Sequence, residues 1–308
     1  MPNVWTHIYF GEDVADKSSY SVPSEDVKSY FRLGAQGPDP FFYHNFWPWK
    51  KEKKVAEIGG KIHRDSCGAF LMEMIRHGFR KSSDFYLQAY ILGFLTHHIL
   101  DRNAHPYIIY RSGNEDHKHQ RLECIIDTLL MEELRGIKTW KTPVYEEIDI
   151  GRHLYPPIQD MLTVLIEKFY PETASTMPAN YIDDAYQDML KALKVLFDPL
   201  GWKNKAFKNQ MSAFSYQKVI DDNDYLNREH QTWFHPADNS EKHNESFDDL
   251  LKNAEREGIR ILTAVLDYWN NGQEHSCEGI EKELQNLAYD TGKDCTLSIE
   301  NQYFDPIL

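Results

Sequence analysis

The sequence predicts an all-α protein. Apolar residues recur at three- and four-residue spacing between loops that contain proline or glycine, and only 296–300, near the end, has a strand-like pattern. A chain of 308 residues, 41% of them hydrophobic, is long enough to bury a large core. Since no internal repeat or low-complexity linker divides the sequence, we expect a single domain over residues 1–308.

The first third of the chain is expected to contain three helices and one irregular stretch. Thr6 is a candidate N-cap for the first helix, and Ser24 is one for the second. Proline and glycine residues then argue against regular structure over 34–49. A third helix is expected over 67–79, where the apolar periodicity resumes.

Two strongly periodic helices follow. The first opens at Ser82 or Ser83 and is expected to end at Pro106, because proline disrupts a helix interior. The second is predicted over 116–135, and Gly136, which follows directly, is expected to end it. Near one end of each helix, polar side chains interrupt the apolar stripe. These two ends are therefore the first places to look for chemistry.

Residues 137–308 are predicted to add further helices and the loops at the rim of a cleft. The expected helices cover 158–170, 185–197, 246–269 and 278–289. The aromatic loop 39–49 and the stretch 233–238 are the best candidates for the rim. Aromatic rims suit a ligand with an apolar part or a choline-like cation, although such loops equally often anchor themselves to the core.

Composition argues against several classes of protein. Acidic residues outnumber basic ones by 48 to 34, and the only basic run, Lys50–Lys54, is expected to be a solvated loop, so nucleic acid binding is not expected. Four cysteines without CxxC spacing indicate neither a disulfide framework nor a thiolate zinc site. With no apolar run long enough for a membrane span and no secretory signal, we expect a reduced, cytoplasmic protein.

Histidine and acidic residues at four-residue spacing indicate a metal site. His97 and Asp101 are four residues apart, as are His119 and Glu123, so on helices each pair projects from one face. A lone histidine on an amphipathic helix is usually a packed core residue, but clustering with carboxylates favours metal binding. The other candidate ligands are His7, Asp39, His63 and His105.

These candidate ligands follow one another in a recognisable order. That order is Asp39, His63, His97-x3-Asp101-x3-His105 and His119-x3-Glu123. It resembles the zinc-dependent phospholipase C family, a relative of the single-strand-specific zinc nucleases, over about the first 135 residues. The resemblance implies an all-α fold with two or three zinc ions in a cleft. It also implies hydrolysis of phosphoric esters by a water activated at the zinc ions.

The resemblance further implies a division of the ligands among the metal ions. His63, His97 and Asp101 would hold one zinc, with Asp39 as a further ligand or as the base for the attacking water. A third site would combine His7 with Asp101 as a bridging carboxylate. The second site would consist of His105, His119 and Glu123. Carboxylate-rich sites also accept iron or manganese, so zinc rests chiefly on the resemblance.

The sequence leaves the substrate and the oligomeric state open. A phospholipid headgroup, a smaller phosphodiester and a phosphomonoester all fit the expected chemistry. A nuclease-like phosphodiesterase is disfavoured by the acidic balance and the missing basic groove. The alternative from another class is a metal-stabilised binding or scaffold protein without turnover, against which the intact Asp39 argues.

Overall fold

Helices dominate the computed structural model, which describes residues 3–47, 49–115, 117–203, 212–272 and 274–308. This confirms the predicted all-α class. Among the described residues, no helix is long and apolar enough to cross a membrane. The α-helices are α1 (Val4–Lys17), α2 (Glu25–Gly34), α3 (Pro40–Tyr43), α4 (Val55–Arg64), α5 (Cys67–Arg80), α6 (Phe85–Ser112), α7 (Lys118–Arg135), α8 (Pro156–Phe169), α9 (Pro171–Ala174), α10 (Tyr181–Leu196), α11 (Phe247–Asn271) and α12 (Glu274–Leu284).

The longest helix, α6, runs through the core and does not end at Pro106, as the sequence predicted. Pro106 supplies no N–H to the carbonyl of Arg102 one turn earlier. The helix nevertheless continues because Tyr107 and Ile108, which follow the proline, are fully buried and pack into the core. This burial outweighs the lost hydrogen bond and carries the helix on to Ser112.

The N-terminal helix begins earlier than predicted. Asn3, not Thr6, is the N-cap of α1, and its side chain accepts a hydrogen bond from Val4 N. Thr6 lies in the first turn, where its own backbone N–H and hydroxyl donate to the side chain of Asp127 on α7. Helix α1 is therefore tied to α7 at its first turn by a contact distant in sequence.

The stretch that was expected to be irregular is followed by an unpredicted helix. Within 34–49 the chain forms the single turn α3, and α4 then carries His63 in its last turn. Lys54 precedes α4 and makes no side-chain capping bond, so the usual start signal is missing. Helix α4 forms on the strength of its apolar face, in which Val55, Ile58 and Ile62 are fully buried.

Close backbone packing places the loop after α2 against α6. A side-chain Cβ at Gly34 would lie 2.1 Å from Tyr90 O, and one at Gly93 would lie 2.1 Å from Phe31 O. Only glycine allows the two backbones to approach this closely. The loop that carries Asp39 is therefore held directly beside the middle of α6.

The C-terminal half contains the four predicted helices and the unpredicted single turn α9, but the last helix, predicted over 278–289, lies over Glu274–Leu284. Ser246, at the start of the predicted helix 246–269, caps α11 with a capping box. Residues 233–238 are not a simple loop, because strand β1 (Trp233–His235) pairs antiparallel with β2 (Asp238–His243). The predicted strand at 296–300 is wrong, since a 3₁₀ turn over Cys295–Leu297 is capped by the Asp294 side chain.

Candidate metal centre

The structure brings all eight predicted side chains together around the middle of α6. They form three groups, two of which share His97, and in each group one nitrogen or oxygen atom of every residue lies within 4.8 Å of the others. Seven of the eight residues are buried, and the eighth, His119, is half-buried. The groups are Asp39, His63 and His97; His7, His97 and Asp101; and His105, His119 and Glu123.

The first group joins the loop before α3 to helices α4 and α6. Asp39 Oδ1 lies 3.6 Å from His63 Nε2 and 3.8 Å from His97 Nε2. The other ring nitrogens contact backbone carbonyls: His63 Nδ1 is 2.7 Å from Gly59 O, and His97 Nδ1 is 3.0 Å from Ala35 O. A carbonyl only accepts, so in the neutral rings Nδ1 carries the proton and Nε2 keeps its lone pair for a ligand.

The second group is centred on Asp101. Its Oδ1 lies 3.3 Å from His7 Nε2, and its Oδ2 lies 3.2 Å from His97 Nε2. The two imidazole rings stack with their centroids 4.1 Å apart. His63 Nε2 is also within 4.0 Å of Asp101 Oδ2, so this carboxylate links the first two groups.

The third group lies one turn further along α6. His105 Nε2 and His119 Nε2 face each other at 3.1 Å, and Glu123 Oε1 lies 2.6 Å from the same nitrogen of His119. Ser112 Oγ is 3.3 Å from His119 Nδ1. Because His105 Nδ1 lies 3.9 Å from Asp101 Oδ2, the third group is continuous with the second.

Buried polar atoms at this centre fit a set of metal ligands. Within the described parts of the chain, several of them make no hydrogen bond although water cannot reach them. Such an arrangement is costly in the absence of a cation, because a buried polar atom normally has a partner. Imidazole nitrogen and carboxylate oxygen are the donors expected at a catalytic zinc. The atoms are both ring nitrogens of His7, Asp39 Oδ1, His97 Nε2 and both carboxylate oxygens of Asp101.

The electrostatics of the centre also favour ligation. Burial lowers the pKa of His7 and holds the pKa of His105 well below its usual range. Burial opposes ionisation of Asp101, but neighbouring His97 and His7 hold the pKa of this carboxyl well below its usual range. Burial opposes protonation of His97, but neighbouring Asp101 and Asp39 raise its pKa, so this imidazole would have to release a proton when a metal binds. Neutral imidazoles around an ionised carboxylate are the protonation states that metal binding requires.

Helix α1 is positioned by a buried carboxylate that sequence reasoning missed. Asp127 on α7 accepts hydrogen bonds from Trp5 N and Thr6 N, each at 3.0 Å, and from the hydroxyl of Tyr216 at 2.7 Å. These bonds fix the first turn of α1, which carries His7. Asp127 follows Glu123 by four residues, so the spacing that identified Glu123 also placed Asp127 on the same face.

A glycine and a tyrosine, also missed from the sequence, support the imidazoles. Gly37 has a φ of +52°, and a Cβ there would lie 2.3 Å from His97 Cδ2. Tyr289 donates its backbone N–H to His63 O at 2.9 Å, and its ring centroid is 4.8 Å from that of His63 and 4.5 Å from that of His98. Close backbone and ring contacts therefore hold the histidines from two sides.

The two predicted rim segments have different contacts. In 39–49, Phe42 is 43% exposed, and its ring lies 5.2 Å from that of His63. In 233–238, the buried Trp233 packs against Tyr107 of α6 and donates its ring N–H to Glu245 O. The first segment therefore contacts a candidate ligand, whereas Trp233 anchors the second to the core.

Comparison with known proteins agrees with this geometry. The model of the zinc-dependent phospholipase C family matches residues 6–194, which is more than half of the chain and includes all eight candidate ligands. Among curated proteins and solved structures, none matches the chain significantly. On the strength of the family match, the chain belongs to the zinc-dependent phospholipase C family.

Proposed function

We propose that this protein hydrolyses phosphoric esters, with phosphodiesters of the phospholipid type as its substrates. The proposal rests on one observation. His97 and Asp101 join the three groups of nitrogen and oxygen donors into one continuous cluster. A continuous cluster of this kind suits more than one metal ion, and family membership favours zinc. When bound, zinc would lower the pKa of a coordinated water and offset negative charge on phosphate oxygens.

The ligands divide most simply along the three groups. Asp39, His63 and His97 would hold one ion. His7 and Asp101 would hold another, with His97 or the second Asp101 oxygen shared between neighbours. His105, His119 and Glu123 would hold the last. Two or three ions fit this division, depending on whether the group around His7 is filled.

Asp39 is the best candidate for the group that accepts a proton from the attacking water. Its side chain is 12% exposed, whereas that of Asp101 is 0% exposed. Asp39 is therefore the more accessible of these two carboxylates to substrate and water. It also lies on a loop fixed by Pro38 and Pro40, so its carboxylate is held in place beside His63 and His97.

A panel of soluble esters tests the proposal. Zinc-saturated protein would be assayed with p-nitrophenyl phosphocholine, bis-p-nitrophenyl phosphate and p-nitrophenyl phosphate, and with a short-chain phosphatidylcholine below its micellar concentration. We expect the phosphodiesters to be hydrolysed faster than the phosphomonoester. If none of the four substrates is turned over at full zinc content, the result would instead support a scaffold protein. A preference for the phosphomonoester would contradict the proposed substrate class.

A further inference from the structure

Beside the candidate metal centre, residues 42–54 present aromatic rings and lysines on one continuous stretch of chain. We call this stretch the aromatic–lysine segment; Pro48 within it lies outside the described residues. Four of its aromatic side chains are exposed or contact one another and precede a run of exposed lysines, whereas Tyr43 packs against the core. These residues are Phe42, Phe46, Trp47 and Trp49, followed by Lys50, Lys51, Lys53 and Lys54.

The aromatic rings form a stack that reaches the surface. Trp49 is 69% exposed, and its ring stacks on Trp47 at 4.8 Å with an angle of 17° between the planes. The centroid of Phe46 lies 4.2 Å from that of Trp47. Scattered exposed apolar side chains are ordinary, but contiguous apolar surface next to charge marks an interaction site. Tryptophan in particular suits the boundary between lipid headgroups and acyl chains.

The charge of the segment is opposite to that of the chain as a whole. Four lysines and one glutamate over 50–54 give a local formal charge of +3, although the chain carries −14. All five side chains are exposed. The Lys53 ammonium donates to Asn45 O, and Asn45 N donates to Asp188 at 2.9 Å, so the segment is closed on itself and tied to α10 at Asn45. Exposed rings with clustered lysines complement an anionic lipid surface, which has negatively charged headgroups above an apolar acyl-chain region.

The segment is also placed where docking would serve the metal centre. Phe42, at its beginning, is 43% exposed and lies 5.2 Å from the ring of His63, a candidate ligand. Trp49 follows Phe42 by only seven residues, so a lipid surface held by Trp49 and the lysines would lie near the metal centre. We propose that the aromatic–lysine segment docks the protein on anionic phospholipid surfaces and so presents headgroups to the metal centre. Delivery to the centre rests on the proposed function, whereas docking itself does not.

Vesicle co-sedimentation tests docking without turnover. The zinc-saturated protein would be mixed with vesicles of phosphatidylcholine alone or of phosphatidylcholine with phosphatidylserine. We expect tighter binding to the anionic vesicles, weakening as salt is raised. The double variant Lys50→Glu/Lys51→Glu should reduce this binding by at least about tenfold, since each lysine near an anionic surface contributes to attraction. Trp49→Ala should reduce it as well.

Matched controls separate the segment from general effects of charge and aromatic loss. Lys242→Glu/Lys252→Glu reverses two exposed lysines elsewhere, and Trp202→Ala removes another tryptophan, which is 60% exposed. These controls should bind vesicles as the wild type does. Equal binding to neutral and anionic vesicles would overturn the proposal, as would equal losses in segment and control variants. If the segment variants lost binding to an oligonucleotide but kept binding to vesicles, the segment would recognise a different polyanion. That result would overturn the lipid assignment.

The soluble ester p-nitrophenyl phosphocholine keeps docking and catalysis apart. Its hydrolysis should be unchanged in Lys50→Glu/Lys51→Glu, because these two exposed lysines are neither candidate ligands nor part of the aromatic rim loop 39–49. Vesicle binding without hydrolysis of any ester would leave docking standing and refute the proposed function. Ester hydrolysis without selective binding to anionic vesicles would leave the proposed function standing and refute docking.

Discussion

Asp101 on α6 faces His7 on α1, with 3.3 Å between Oδ1 and Nε2, while its second oxygen faces His97. The carboxylate is fully buried, and neither oxygen accepts a hydrogen bond within the described residues. Its charge thus lies between two helices that are joined at this point by candidate metal ligands. The relationship explains why the centre depends on both α1 and α6.

Asp101→Asn should remove at least one equivalent of bound zinc and lower zinc affinity by more than about tenfold, because the amide keeps the shape but loses the charge. Elemental analysis and competition with a chromogenic chelator would measure both quantities. Asp267→Asn, an exposed change on α11, is the matched control and should keep the full zinc content. Unchanged zinc content and affinity in Asp101→Asn would contradict a role for Asp101 as a shared ligand.

Removal of metal should destabilise the fold. The three ligand groups join α1, α4, α6 and α7, so an ion bound only by the folded state raises the free energy of unfolding, by about 4 kcal/mol at a thousand times its Kd. Chelator treatment should therefore lower the melting temperature, and zinc titration should restore it with at least two equivalents per chain. Recovery that is complete after one equivalent would contradict a polynuclear centre.

Local spacing was enough to predict much of the centre. His97, Asp101 and His105 line one face of α6 because residues four apart on a helix point the same way, and His119 and Glu123 follow the same rule on α7. Such spacing is a property of one helix. It could therefore be identified before any tertiary contact was known.

The features that sequence reasoning missed depend on contacts between elements. Asp127 matters because its side chain meets the first turn of α1, more than 120 residues away in sequence. Gly37 matters because its backbone touches His97, and Pro106 is tolerated because the residues after it are buried. The single-domain organisation and the individual ligand roles stay predictions, since they require experiments on the protein.

Gly37→Ala should displace His97. The new Cβ would lie 2.3 Å from the imidazole, and the φ of +52° is unfavourable for alanine. We expect weaker zinc binding and at least about a tenfold fall in ester hydrolysis, because small misplacements at a reacting centre are costly. Gly136→Ala is the matched control, since its φ of +65° carries the same strain with nothing within 4 Å. If both variants lose the same stability and neither loses zinc, the contact with His97 is unimportant.

Asp127 should give the fold a measurable pH dependence. Burial raises the pKa of Asp127 to about 7, against the opposing effect of its hydrogen-bond donors. Between its unfolded pKa, about 4, and this value, the folded protein holds a proton that the unfolded chain has lost, so stability falls as pH rises. The melting temperature of the wild type relative to Asp127→Asn should therefore decrease from about pH 5 to pH 7. A difference that stays constant, or that increases with pH, would contradict this assignment.

Asp39→Asn separates the hydrolase from a metal-stabilised scaffold. The amide preserves the shape of a side chain between His63 and His97 but cannot take a proton from the attacking water. General-base catalysis is typically worth about 10²–10⁴-fold in rate, so hydrolysis of the best soluble ester should fall at least about a hundredfold. Folding and most zinc binding should survive, because the other candidate ligands remain. Asp184→Asn, an exposed change on α10, should leave the rate unchanged. Full activity in Asp39→Asn would assign the base to another group, whereas parallel losses of zinc and rate would make Asp39 a ligand first.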